Sequence, residues 1–303
     1  MLAVFSLSAA VTFTTYYITE SSNELCIGRA QSSSYHNGPI NWAIQSIDDL
    51  TLDQITAYFS WTNKASCRVV NYFGGIISNS DGQRPVCLDR ALIPESLNGG
   101  EEENTSCLIY SVGINNEWSF DEAMEKFGCH VYCFDPSMKS PNHNRTSKIH
   151  FYNLGLSNRD ETWPNKTWGG SPKRNWTMTT LDSIYHNLLR HQGRIIDYLK
   201  IDIELSEWIV LPQILASGIL DQVRQLGMEF HLFHPESEKI ISLKEIRDRV
   251  NVIKSLEDYG LVRFDSVPSG WSKYECVVDG VVWFEYTAYD MAWYNPKLAR
   301  RHN

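Results

Sequence analysis

Two pairs of residues in the C-terminal half have the types and spacing for proton transfer. In "DYLKIDIE", Asp202 and Glu204 alternate on one face near the end of an expected strand. In "VRQLGMEFHLF", Glu229 and His231 share a face of the next strand in the same way. An ordinary imidazole titrates near neutrality, so His231 is the first candidate for a general base. Asp202 is the second, as a base itself or as the group that orients an acceptor, with Glu204 beside it. The competing reading of His231 is a hydrogen-bonded structural histidine. The four groups could also hold a divalent cation, since carboxylates and imidazole suit manganese, iron or zinc. No spacing in the sequence enforces such a site, and no metal is expected.

A second set of residues is suited to binding. "LIYSVGINNEWSFDEAMEKFG" reads as a strand, a turn and a helix, with Gly113 in the turn. A dinucleotide fingerprint would place three glycines there. Asn115 and Asn116 can take the left-handed backbone that glycine otherwise supplies. Glu117 would repel a pyrophosphate and attract an ammonium or sulfonium group. Asp135 ends the following strand, where a Rossmann-like unit holds ribose hydroxyls. The turn therefore suits an adenosine ligand carrying positive charge, and S-adenosylmethionine fits that description. The plainer alternative is a tight turn at Gly113 and a capping role for Asp135.

Three tryptophans, Trp163, Trp168 and Trp176, lie with Lys173 and Arg174 in "NRDETWPNKTWGGSPKRNW". This polar stretch reads as a long loop on the crevice side, and its rings could form a wall for a sugar or a flat acceptor. Sequons at Asn165 and Asn175 in the same stretch argue for a solvated, glycosylated surface instead.

The elements that must position these groups follow from periodicity. Residues 48–62 show helical spacing, and "NYFGGIISNSDGQRPVCL" reads as a hairpin with Gly-rich turns. A charged linker, 94–106, precedes alternating strands and helices from Cys107 onward. The first helix has Ser119 and Glu122 placed as a capping box and Gly128 as its C-cap. Further strands are expected at "HVYCF", "KIHFYNLGLS", "DYLKIDIE" and "VRQLGMEFHLF". Helices are expected at "TLDSIYHNLL", "SEWIVLPQIL" and "LKEIRDRVNVIKSLEDYG". "LVRFDS" and "CVVDGVVWFEYTAY" end the chain without a helix between them, which predicts a C-terminal antiparallel hairpin. The fold class is α/β, a mostly parallel doubly wound sheet.

Composition narrows the setting. The chain has 303 residues, 43% of them hydrophobic, and a net charge of -9 from 27 basic and 36 acidic side chains. That balance argues against nucleic acid as a partner, because phosphates need a basic face. Residues 1–18 carry no charge and read as a signal anchor or signal peptide, the only membrane contact expected, followed by a flexible stem at 19–40. A small accessory segment, 41–106, then precedes a main domain at 107–290 and a tail at 291–303. Sequons at Asn104, Asn144, Asn165 and Asn175 fit the lumen of the secretory pathway or secretion. Seven cysteines leave an odd one. Cys67 with Cys87 is the expected disulfide, because a Gly-rich turn region lies between them; Cys129 and Cys133 are too far apart along a strand to bond each other.

Taken in order, "YSVGINNEWSFDEAM…GCHVYCFDPS", "TLDSI" and "DYLKIDIELSEW" resemble the FkbM-type S-adenosylmethionine-dependent methyltransferases. The chain is most similar to animal methyltransferase-like proteins that carry this domain behind an N-terminal membrane anchor. "CRVVNYFGG…DGQRPVCLD" adds to that likeness. The resemblance implies a class I methyltransferase fold, cofactor at Gly113 and Asp135, and chemistry around Asp202 and Glu204. Together with the candidate base, it leads to the expectation of O-methylation of a hydroxyl on a small molecule or glycan. One departure is Leu205, where the family often has glycine. That residue favours a rival reading, a methyltransferase fold kept for binding alone. A nicotinamide-dependent oxidoreductase is the other rival, and Glu117 and the missing glycines weigh against it.

Overall fold

The computed structural model describes residues 38–75, 82–94, 97, 106–167, 173–233, 240–270 and 272–300. The expected anchor, nearly all of the stem, Asn104 and Trp168 lie outside the described residues. Among the described residues no helix is long and apolar enough to cross a membrane.

The first helix, α1 (Leu52–Phe59), opens on a capping box of Thr51 with Gln54 and buries Ile55, Tyr58 and Phe59. Strands β1 (Val70–Gly74) and β2 (Gln83–Cys87) form the expected antiparallel hairpin. The Cys67–Cys87 disulfide closes its base, as the turn between them suggested. Then come β3 (Leu108–Val112), α2 (Ser119–Phe127), β4 (His130–Phe134), a short β5 (His143–Asn144) and β6 (Ile149–Tyr152). Next are β7 (Gly155–Leu156), β8 (Glu161–Lys166) and β9 (Arg174–Thr179). Helix α3 (Leu181–Ser183) runs on as a π-helical turn to Leu188. It leads to β10 (Tyr198–Ile201), α4 (Glu207–Ser217) and β11 (Gln225–His231). The chain closes with β12 (Ile240–Ile241), α5 (Leu243–Tyr259), β13 (Val262–Pro268), β14 (Lys273–Val278), β15 (Val281–Tyr286) and β16 (Ala288–Tyr294).

The main sheet has the order β13-β16-β11-β10-β3-β4-β6-β5. From β6 to β11 every neighbour is parallel, whereas β16 runs antiparallel between β11 and β13. β3, β10 and β11 are buried along their whole length, which suits strands covered on both faces. The chain fills the sheet outward from β3 to β6, then returns to the other side of β3 with β10. That reversal opens a crevice at the C-terminal ends of β3 and β10.

Three expectations change, and two features go beyond what was expected. The capping box at Ser119 and Glu122 does not form: Trp118 is the N-cap, and the Ser119 hydroxyl instead accepts the Gly75 N–H at 2.6 Å. The loop after the third strand is largely a β-hairpin, β8 with β9, extended by β7. The β14–β15 hairpin turns on Asp279 and Gly280, both with left-handed backbone, but it joins β12 in a separate sheet; in the main sheet the antiparallel strands are β16 and the short edge strand β5. Strand β16 runs past residue 290 to Tyr294, and α1 contributes buried residues to the main core. Finally, Cys129 pairs with Cys107, joining the starts of β3 and β4, a bond no spacing announced.

Candidate active site

Strand β3 runs into Gly113 at φ 75°, where the backbone passes against the Asp202 carbonyl. A Cβ there would stand 1.5 Å from that oxygen, so only glycine fits. Asn115 and Asn116 follow at φ 42° and 60°, the left-handed turn expected of them. Asp135 then clamps the loop. Its Oδ2 accepts the N–H groups of Ile114 at 3.0 Å and Asn115 at 2.7 Å, and its Oδ1 accepts that of Ser137 at 2.7 Å. A carboxylate offers about four acceptor sites, so about one is left for a ligand hydroxyl. Glu117 accepts the Ser119 N–H at 2.9 Å, bringing negative charge to the start of α2.

Gly113, Ile114, Asn115, Glu117 and Asp135 line a cavity of about 470 Å³ at the C-terminal ends of β3, β4 and β10. That volume lies within the ordinary span of ligand sites, about 300–1,000 Å³. Asp202, Glu204, Trp163 and Trp176 line the same space. Asp202 and Glu204 do so from just beyond β10, not from within it: Glu204 and Leu205 have φ 53° and 69°. Leu205 also lines the cavity, so its side chain stands at the mouth in a backbone conformation that suits glycine.

The four expected proton-transfer groups do converge, with a partner the sequence did not reveal. Arg84, from β2 in the accessory hairpin, is 1% exposed and spans three carboxylates. Its Nη2 lies 2.8 Å from both Asp202 Oδ2 and Glu229 Oε2, and its Nη1 lies 3.0 Å from Asp290. Asp202, Glu229 and His231 have ligand atoms close enough for a metal ion. Arg84 already places a cation against two of them. Burial tends to raise the Asp202 pKa, but Lys200, Arg84 and His231 outweigh it and hold the carboxyl below its usual range. Burial and the charges of Asp290 and Asp202 push Glu229 the other way, well above the carboxylate range. Within the pair, Asp202 is thus the stronger acid and Glu229 the weaker.

His231 differs from its expected character. Its Nδ1 lies 3.1 Å from Glu207 and its Nε2 lies 3.3 Å from Glu204. Burial favours the neutral ring, but the hydrogen bond and charge of Glu207, with Glu229 and Asp202, raise its pKa well above the ordinary value. Both ring nitrogens face carboxylates, an arrangement that favours the charged ring and leaves neither nitrogen free to act as a base. It is also absent from the cavity wall, standing behind Glu204.

Two further charged groups complete the deep end. Lys200 donates to the Gly113 carbonyl and lies 3.8 Å from Asp202. Burial lifts Asp121, on α2, to about 6, against the pull of Lys200. Both line the cavity. The sequence carried a signal for Arg84 only in hindsight: one basic residue inside "QRPVC", a strand otherwise buried.

The tryptophans lie at the opposite end. Trp163 and Trp176 are cross-strand partners and half-buried. Between Trp163 and Lys166 the register slips, and Asn165 at φ 54° is turned outward. Asn165 and Asn175 are exposed and adjacent, the Asn165 N–H reaching Asn175 Oδ1 at 3.3 Å. The rings therefore face the cavity while both sequon asparagines face solvent, which removes the conflict between the two readings of this segment.

A mostly parallel sheet with an antiparallel strand slotted between β11 and β13, and a cavity at the β3–β10 switch point, defines a Rossmann-like methyltransferase fold. The sequence comparison agrees: residues 48–279 match the family described as "Methyltransferase domain", and the chain belongs to it. It is 27% identical over 276 residues to "Probable methyltransferase-like protein 24" of Homo sapiens, covering 89% of this chain and 71% of that one. The Rattus norvegicus protein of the same description is 32% identical over 133 residues, 44% of this chain and 35% of the relative.

Proposed function

We propose that this methyltransferase domain binds S-adenosylmethionine and methylates a hydroxyl group on a small molecule or glycan in the secretory pathway. The observation that carries the reading is the single cavity in which Gly113, Glu117 and Asp135 stand at one side and Asp202 and Glu204 at another. The residues fit the cofactor. The Gly113–Asn116 turn gives close backbone approach without the anion-seeking glycines of a pyrophosphate loop, and Glu117 and Asp121 offer negative charge to a cationic ligand. The remaining acceptor site on Asp135 suits a ribose hydroxyl. When bound, S-adenosylmethionine supplies an electrophilic methyl group on a positively charged sulfur.

The chain's own residues then have distinct tasks. Asp202 is ionised and faces the cavity, so it takes the proton of the acceptor hydroxyl. Arg84 and Lys200 keep it ionised. Glu204 orients the hydroxyl and is itself held by the His231 imidazolium. His231 acts here as a fixed positive charge. The Cys67–Cys87 and Cys107–Cys129 bonds support an oxidising compartment, as do exposed sequons at Asn144, Asn165 and Asn175.

Thermal unfolding in the presence of S-adenosylmethionine, S-adenosylhomocysteine or NAD tests this. A ligand at 100 times its Kd stabilises by about 2.7 kcal/mol, so the two sulfur nucleosides should raise Tm and NAD should not. A shift with NAD alone would overturn the cofactor assignment. No shift with any of them would leave a methyltransferase fold used only for binding other partners.

A further inference from the structure

The β8–β9 hairpin has an inner face that none of the tasks above uses. Trp163 and Trp176 oppose each other across the strands, so their Cβ atoms stand about 4.5–5.5 Å apart. Trp163 is fixed by its indole N–H, which donates to Glu161 at 2.8 Å, and Lys166 stands 5.1 Å from its ring centroid. Trp176 is different. Its Nε1 is buried, yet it has no acceptor among the described residues, although the ring lines the cavity. A buried indole N–H without a partner loses its hydrogen bond to water with nothing in return, and a ligand acceptor would satisfy it.

The anchorage of the hairpin says which part of a ligand it would meet. β9 pairs with β7, directly after β6, and β6 neighbours β4, the strand that ends in Asp135. Arg174 donates to the Pro136 carbonyl at 2.9 Å. Pro136 and Met178 pack so closely on Gly155 that an added Cβ would come within 2.7 Å of one and 2.5 Å of the other. Asp202 and Glu204 follow β10, on the far side of β3. The cavity therefore runs from the tryptophans, past Asp135 and Gly113, to the reacting carboxylates.

We infer that Trp163 and Trp176 clamp the flat nitrogen base of the adenosine ligand, Trp163 stacking on its face and Trp176 Nε1 donating to a ring nitrogen at its edge. They do not form a wall for the acceptor. The inference rests on the cofactor reading above: a ribose held at Asp135 puts its base one sugar-length outward, under the hairpin, and its sulfur inward toward Gly113. Aromatic rings stack on any base, and the single N–H adds direction.

Calorimetric binding of S-adenosylhomocysteine and of adenosine to the wild-type chain, Trp176→Leu and Trp176→Phe tests the clamp. Trp176→Leu should weaken both ligands tenfold or more and by the same factor, because the loss falls on the shared base. Trp176→Phe should lose nearly as much, because it keeps an aromatic ring but has no N–H to donate to the edge of the base. Oxidative footprinting of the wild-type chain gives a second readout that needs no variant: adenosine should protect the peptides carrying Trp163 and Trp176. Unchanged affinity in Trp176→Leu, or no protection by adenosine, overturns the clamp while leaving the cofactor reading intact. Failure of the wild-type chain to bind S-adenosylhomocysteine overturns both.

Discussion

At the Gly113 side of the cavity the chain keeps its shape with backbone. One glycine lies against the Asp202 carbonyl, two asparagines turn left-handed, and Asp135 gathers three N–H groups. At the Asp202 side the shape is kept by charge. One guanidinium holds three carboxylates, and one histidine ring is held between Glu204 and Glu207. The difference matters because the two kinds of order respond to different perturbations. Steric order is insensitive to pH and fails when an atom is added. Electrostatic order in a buried cluster fails when a charge is removed, since the remaining like charges have no solvent to disperse them.

Removing the central cation should therefore have the largest effect. Arg84→Met leaves Asp202, Glu229 and Asp290 together without their shared partner. A loss of about 3–5 kcal/mol is expected, read from the urea midpoint. Arg84→Met with Glu229→Gln should recover part of it, because one of the three acids is then permanently neutral. A loss below about 1 kcal/mol for Arg84→Met would mean that the acids hold one another through shared protons, and that the cluster does not depend on Arg84.

Gly113→Ala tests the steric side. Left-handed backbone and the clash with Asp202 together should cost about 2 kcal/mol or more and displace the loop from Asp135. S-adenosylhomocysteine binding should be lost with it. The contrast is sharpest against Arg84→Lys, which keeps a positive charge and should retain binding. If Gly113→Ala binds as the wild type does, the loop is not the cofactor's seat.

The same contrast explains what the sequence disclosed. The Gly113 loop was legible because its parts are contiguous: strand, Gly113, Asn115, Asn116, Glu117, and then Asp135 at the next strand end. Strands β3, β4, β6, β10 and β11 followed from periodicity for the same reason. The charge cluster drew on β2, β10, β11 and β16, elements distant in the chain, so Asp202, Glu229 and His231 were visible only as local pairs. Arg84 and Asp290 were missed because nothing in their own segments marks them. His231 was assigned a near-neutral character that its neighbours Glu204 and Glu207 alter. Likewise Trp163 and Trp176 were noticed in a polar stretch, but the register that sends their rings inward and Asn165 outward depends on pairing across the strands.

A pH series probes the charged side further. Although burial opposes it, the partners of His231 raise its folded pKa above the unfolded value of about 6.5. Its stabilising contribution is then complete below about pH 6.5 and fades as pH climbs through the folded value. His231→Gln should cost about 1.5–3 kcal/mol at pH 6, the range for a hydrogen bond to a charged group. The gap from wild type should narrow toward alkaline pH. A gap that widened with pH would mean that His231 is neutral in the folded chain.

The smallest expected effect lies at the mouth between the two sides. Leu205 holds φ 69° with its side chain on the cavity wall, so two properties are combined in one residue: backbone strain and bulk. Leu205→Gly releases about 1–2 kcal/mol of left-handed strain and gives back about 0.5–1 kcal/mol through the greater freedom of the unfolded chain. Leu205→Gly and Leu205→Ala both lose the leucine packing, so the glycine variant should be the more stable of the two by about 0.5 kcal/mol in thermal unfolding. Leu205→Ala keeps the Cβ, hence the strain, and loses the packing, so it should be less stable than wild type. Both variants widen the mouth, so a change in ligand association shared by the two would come from bulk, and a stability advantage of glycine over alanine from strain. If the alanine and glycine variants are equally stable, the left-handed turn is not strained, and the departure at Leu205 acts through side-chain volume alone.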